Sequence, residues 1–135
     1  MNRLLEAALG PMNILYVEDN ADIRGVVLEL IESDDRRIVA CADAEAAWAQ
    51  LQRVAFDVLV TDVNLPGSSG TDLARRWLEG DASRWVILFT GYEFGAGLAG
   101  LGSHVRAVRK EDFEQLDSAL AEIGEQLRHR SARDD

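Results

Sequence analysis

Val58-Leu-Val-Thr61-Asp62-Val-Asn64-Leu-Pro-Gly-Ser-Ser-Gly70 is the stretch that decides the fold. A continuous apolar run stops at an aspartate and gives way to a turn rich in proline, glycine and serine. That pattern predicts a strand buried on both faces, ending in acid at the mouth of a loop. Upstream, Asn13-Ile-Leu-Tyr-Val17 repeats it and ends in Glu18-Asp19. Between the two, Ile23, Val26, Val27, Leu30 and Ile31 recur at helical spacing, with Asn20 and Asp22 offering capping oxygens. Arg37 to Ala40 reads as a short second strand, and Asp43 opens a helix whose Ala44, Ala47, Trp48 and Leu51 share a face.

Downstream, Leu73, Ala74, Trp77 and Leu78 predict a third helix, and Trp85 to Phe89 a fourth strand stopping at Thr90-Gly91. Five of the twelve residues from Gly91 to Gly102 are glycine, so a fourth helix there is expected to be weak. His104 to Val108 reads as a fifth strand ending near Lys110. Phe113, Leu116, Leu120, Ile123 and Leu127 then form the stripe of a last helix, expected to pack on the sheet ahead of dimerising. Strands alternating with helices predict an α/β fold, a doubly wound five-stranded parallel sheet with helices on both faces. The expected layout is a leader over 1–11, one domain over 12–128 and a polar tail over 129–135.

Composition narrows the function. The 135 residues carry 24 acidic and 14 basic side chains, a net charge of −10, which disfavours nucleic acid and anionic membrane as partners. No run approaches the ~20 apolar residues of a membrane span, and no signal-peptide order is visible. The one cysteine, Cys41, allows no intrachain disulfide and reads as inert packing, so a cytoplasmic setting is expected. Thirteen of the basic residues are arginine, and Lys110 is the sole lysine.

Parallel strands bring their carboxyl ends to one edge, where such folds hold ligands. Glu18, Asp19, Asp62, Thr90 and Lys110 all fall at strand ends. Converging carboxylates need a cation between them. Oxygen ligands without histidine or thiol favour a hard ion such as Mg²⁺, with Asp19 and Asp62 as ligands and Glu18 acting through water. A carboxylate so placed can attack phosphorus and form an acyl phosphate, provided the charge on the transferring group is neutralised. Lys110, a compact charge on a flexible stem, and Thr90 suit that task.

From about Met12 to Leu127 the chain resembles the receiver domain of bacterial two-component response regulators, the flavodoxin-like, CheY-like fold with strand order 2-1-3-4-5. Asp62 to Gly70 is similar to the family's phosphoacceptor loop, followed by Thr90-Gly91 and Lys110. The resemblance implies a stand-alone domain in which Asp62 takes a phosphoryl group from a histidine kinase or a phosphotransfer protein. It further implies that Glu18, Asp19, Asp62 and the backbone carbonyl of Asn64 hold Mg²⁺, and that Thr90 and Lys110 contact the phosphoryl group. Such a domain is a signalling phosphoacceptor, not an enzyme with a separate substrate; it acts on a downstream protein target and is expected as a monomer or weak dimer.

The sequence departs from the family in three places. Glu111 stands where the family has a cis proline, so a trans bond and a displaced Lys110 are expected. Ala107 stands where a switching aromatic is usual. The glycine-rich segment replaces a firm helix, which suggests that phosphorylation orders Tyr92 to Leu101. Leu88-Phe-Thr-Gly-Tyr92 resembles the Phe-Ala-Thr-Gly-Tyr signature of a receiver subgroup, and Tyr92 would shield the acyl phosphate from water. The rival reading is a receiver-fold binding module that signals without phosphorylation. Gly95-Ala-Gly-Leu-Ala-Gly100 matches a dinucleotide fingerprint in letters only, because too little chain follows it.

Overall fold

The computed structural model describes residues 10–91 and 101–134, with side chains through residue 130. The fourth-helix segment, the Gly95–Gly100 fingerprint, the ordering expected of Tyr92 to Leu101 and the shielding by Tyr92 fall on or largely within residues 92–100, outside the described residues. The strands are β1 (Met12–Val17), β2 (Arg36–Cys41), β3 (Val58–Thr61), β4 (Trp85–Thr90) and β5 (Val105–Arg109). Between and after them run α1 (Ala21–Ile31), α2 (Ala44–Arg53), α3 (Gly70–Gly80) and α4 (Phe113–Asp134). Every strand pair is parallel and the order is β2-β1-β3-β4-β5, as expected.

Side chains alternate across the pleat, so each buried strand feeds two cores. Leu15, Val17, Leu59, Val86 and Leu88 meet Leu51 of α2 and Leu73 and Trp77 of α3 on one face. Ile14, Tyr16, Val60, Ile87 and Phe89 meet Val27 and Ile31 of α1 and Leu116, Leu120 and Ile123 of α4 on the other. The α4 stripe is therefore consumed by the sheet. Helix starts are fixed by side-chain oxygens: Asn20 accepts from the Asp22 and Ile23 amides, Asp43 from Ala46 and Ser69 from Asp72.

Local expectations fare differently. The α1 residues do not share one buried face: Val27 and Ile31 are buried, whereas Val26 and Leu30 are each 49% exposed, because i and i+1 positions diverge by about 100° around a helix. The polar residues from His129 continue α4 to Asp134 instead of forming a separate tail; charged residues are good helix formers once a preceding stripe is anchored. The Lys110–Glu111 bond is trans, as expected, there being no cis peptide bond among the described residues. Cys41 is buried and free, and burial pushes its thiol pKa up, consistent with inert packing. No helix among the described residues is long and apolar enough to cross a membrane.

Candidate functional site

The sheet ladder continues one residue past each strand end and thereby positions the acids. The Asp62 amide donates to the Val17 carbonyl (3.0 Å), the Glu18 amide to Cys41 (3.0 Å) and the Lys110 amide to Thr90 (2.8 Å). Residues that are 44 and 48 positions apart in the chain, Glu18, Asp62 and Lys110, thus arrive at one edge with no loop of their own to place them. Loop closure after Asp62 is tight: Asn64 and Ser69 pair as an isolated antiparallel bridge, and the Gly70 amide donates to Val63 (2.7 Å).

At this edge the structure brings together four of the five expected side chains. One carboxylate oxygen from each of Glu18, Asp19 and Asp62 lies within 4.8 Å of the others. Lys110 Nζ donates to Asp62 Oδ2 at 2.8 Å and stands 2.7 Å from Glu18 Oε1. The expectation that a trans bond displaces Lys110 does not hold, because its four-carbon stem reaches the acids from β5 without help from a proline. Thr90 closes β4 and is 1% exposed. The Asn64 amide donates to Asp62 Oδ1 (3.3 Å), and the Asn20 amide to Glu18 Oε2 (3.2 Å).

Burial differs sharply among the acids. Glu18 is 0% exposed and Asp62 7%, whereas Asp19 faces solvent. Burial raises the Glu18 pKa, opposed by the Lys110 ammonium and the Asn20 amide. For Lys110, burial acts to lower the pKa, but the hydrogen bonds and charges of Asp62 and Glu18 outweigh it and leave it raised. One ammonium therefore serves two buried carboxylates.

The donor set is all oxygen, which suits a hard divalent ion. A feature of the geometry fits one: Glu18 Oε1 is buried and, among the described residues, is approached only by the Lys110 ammonium, at 2.7 Å and without good hydrogen-bond geometry. A buried carboxylate oxygen left so incompletely satisfied is a ligand position for a cation or its water.

Removing the ammonium should be costly. Lys110→Ala leaves Glu18 and Asp62 buried without a cation, and the expected loss is about 3 kcal/mol, the low end for breaking a buried pair because the Lys110 side chain is 24% exposed. Glu18 already has a folded-state pKa above its unfolded value, so its ionisation destabilises the fold as pH rises through that raised pKa. The variant should fall furthest behind the parent at neutral pH, approach it near about pH 4, where Glu18 is protonated because burial raises its pKa, and recover with Mg²⁺. Urea unfolding at both pH values checks this; equal stability at neutral pH would mean that the lysine is dispensable to the folded acids.

Two residues of the site were not anticipated from sequence. Gly70 reads as a turn residue, yet a Cβ there would lie 1.9 Å from the Asp62 carbonyl oxygen. Tyr16 reads as core, yet its buried hydroxyl has no hydrogen-bond partner among the described residues. A glycine ending a loop and starting a helix was a signal for the first; nothing in the sequence marked the second.

A family model described as the response regulator receiver domain matches residues 14–97, a range that stops short of Lys110. The sensor histidine kinase AruS of Pseudomonas aeruginosa is 32% identical over 131 residues, covering 87% of this chain and 12% of that protein. The virulence transcriptional regulatory protein PhoP of Salmonella typhimurium is 33% identical over 82 residues, 61% of this chain and 37% of that one. The chain thus spans a minor part of these curated relatives. The BeF3-activated DrrB receiver domain superposes with a TM-score of 0.75 at 26% identity, covering 85% of this chain and 98% of that one.

Proposed function

The chain belongs to the response regulator receiver domain family, and from that premise we propose that Asp62 is the residue that accepts the phosphoryl group in two-component signalling. Asp62 is only 7% exposed at the end of β3, with a hydrogen bond to the sole lysine and two further carboxylates beside it. That convergence carries the reading, since an isolated strand-end acid would be solvated.

In the proposed reaction a carboxylate oxygen of Asp62 attacks the phosphorus of a phosphohistidine on a sensor kinase or phosphotransfer protein. The P–N bond breaks as the P–O bond forms, the imidazole leaves and an acyl phosphate remains. A bound Mg²⁺ would supply positive charge to the phosphoryl oxygens; Glu18, Asp19, Asp62 and the Asn64 carbonyl are the residues to hold it. Lys110 shifts from sharing the two carboxylates to pairing with the phosphoryl group, so its charge is already in place. The Thr90 hydroxyl, at the end of β4, donates to a phosphoryl oxygen. The domain is then a phosphoacceptor with no separate substrate, working in the cytoplasm and passing its signal to a downstream protein by contact.

Intact mass after incubation with a small acyl-phosphate donor tests the reading. One phosphoryl adduct is expected with Mg²⁺ and none once the metal is chelated. No adduct under either condition would favour the phosphorylation-independent binding module, for which Ala107 is the best argument.

A further inference from the structure

Two buried, incompletely satisfied polar atoms lie on one side of the sheet, in β1 and just past its end. Tyr16 and Glu18 are both 0% exposed; Tyr16 Oη has no hydrogen-bond partner among the described residues, and Glu18 Oε1 has only the Lys110 ammonium beside it, at 2.7 Å. Positions i and i+2 of a strand point the same way, about 7 Å apart along the chain. A phenol is a donor that spans most of that distance, and a carboxylate is an acceptor. Leaving a buried hydroxyl unpaired is costly, so its retention calls for a state in which it is paired. Apart from burial, the charges acting on the phenol are those of Glu18, Asp62 and Arg24.

We propose that Tyr16 is a positioning residue whose hydroxyl donates to the Glu18 carboxylate when Lys110 turns to the phosphoryl group, keeping Glu18 aimed at the metal site. In the structure Lys110 stands 2.7 Å from Glu18 and 2.8 Å from Asp62. Its transfer to a phosphoryl oxygen strips a fully buried carboxylate of its ammonium partner. Tyr16 then supplies the hydrogen bond from below, an outer partner for a group that acts on the metal through water. This inference rests on the phosphoacceptor reading above.

Mg²⁺ with beryllofluoride, a phosphoryl stand-in, is the probe. The chain has two tyrosines, Tyr16 and Tyr92, so a Tyr92→Phe protein reports on Tyr16 alone. Its ultraviolet difference spectrum should show a tyrosine band on adding the probe, as the phenol gains an acceptor. Tyr16→Phe, in the otherwise native chain, should weaken binding of Mg²⁺ with beryllofluoride by calorimetry roughly tenfold, the low end of the effect of removing an outer partner. The metal-free Tyr16→Phe protein should be as stable as the parent or more so, because the lost hydroxyl was unpaired. Unchanged affinity for Mg²⁺ with beryllofluoride in Tyr16→Phe, a silent spectrum, or a less stable metal-free variant overturns the inference while leaving Asp62 as acceptor. A native chain that binds neither Mg²⁺ nor beryllofluoride overturns both.

Discussion

Asp62→Asn is expected to abolish the phosphoryl adduct while leaving the fold standing. The amide has the shape of the carboxylate and keeps an oxygen for the Lys110 ammonium or the Asn64 amide, which Asp62 receives at 2.8 and 3.3 Å. What it lacks is the nucleophile: an amide oxygen does not form a stable acyl phosphate, so the loss is complete. On the stability side two effects oppose each other. Hydrogen bonds to charged groups contribute about 1.5–3 kcal/mol, part of which is lost. Neutralising one of three carboxylates whose oxygens lie within 4.8 Å removes repulsion. The net change in urea unfolding should stay below the cost of the hydrogen bond alone. An adduct that survives in the variant would remove Asp62 from the account, and a variant that fails to fold would show that the charge itself holds the edge together.

Gly70→Ala should have the largest structural effect of an alanine at any of the described glycines. The new Cβ would lie 1.9 Å from the Asp62 carbonyl oxygen and 2.8 Å from Thr61 Oγ1. Neither obstacle yields cheaply. The Asp62 carbonyl accepts from Thr61 Oγ1 at 2.9 Å, and the Gly70 amide is tied to Val63 at 2.7 Å, so either α3 withdraws or the Asp62 peptide moves. Overpacking of this kind costs about 1–3 kcal/mol or more. Because the displaced peptide carries the acceptor, misplacement of about 1 Å should also slow adduct formation by up to about 100-fold. Thermal unfolding together with the rate of adduct formation checks both parts. An alanine variant with the parent's midpoint and rate would mean that the loop relaxes freely.

Much of this site was legible because its residues sit where hydrophobic runs stop. Val58 to Thr61 and Asn13 to Val17 are too apolar to be anything but buried strands, and parallel pairing then delivers Asp62, Glu18 and Asp19 to one edge. Lys110 was legible through its rarity in an arginine-rich chain. What periodicity could not show was three-dimensional closeness. The burial of Glu18 beneath Lys110, the contact of Gly70 with the Asp62 peptide and the stranded hydroxyl of Tyr16 all depend on side chains meeting across elements. The outward turn of Val26 and Leu30 has the same origin, since apolar residues at neighbouring helix positions cannot all face one core. The trans bond after Lys110 showed a different limit: the missing proline suggested a misplaced lysine, but side-chain reach, not backbone geometry, sets where Nζ goes.

The most direct test is to trap the acyl phosphate with borohydride, which reduces that aspartyl carbon to an alcohol, and to map the altered residue by peptide mass after treatment with Mg²⁺ and a small phosphoryl donor. The expected result is modification at Asp62 alone; modification at another residue, or none in a chain that binds Mg²⁺, would contradict the account.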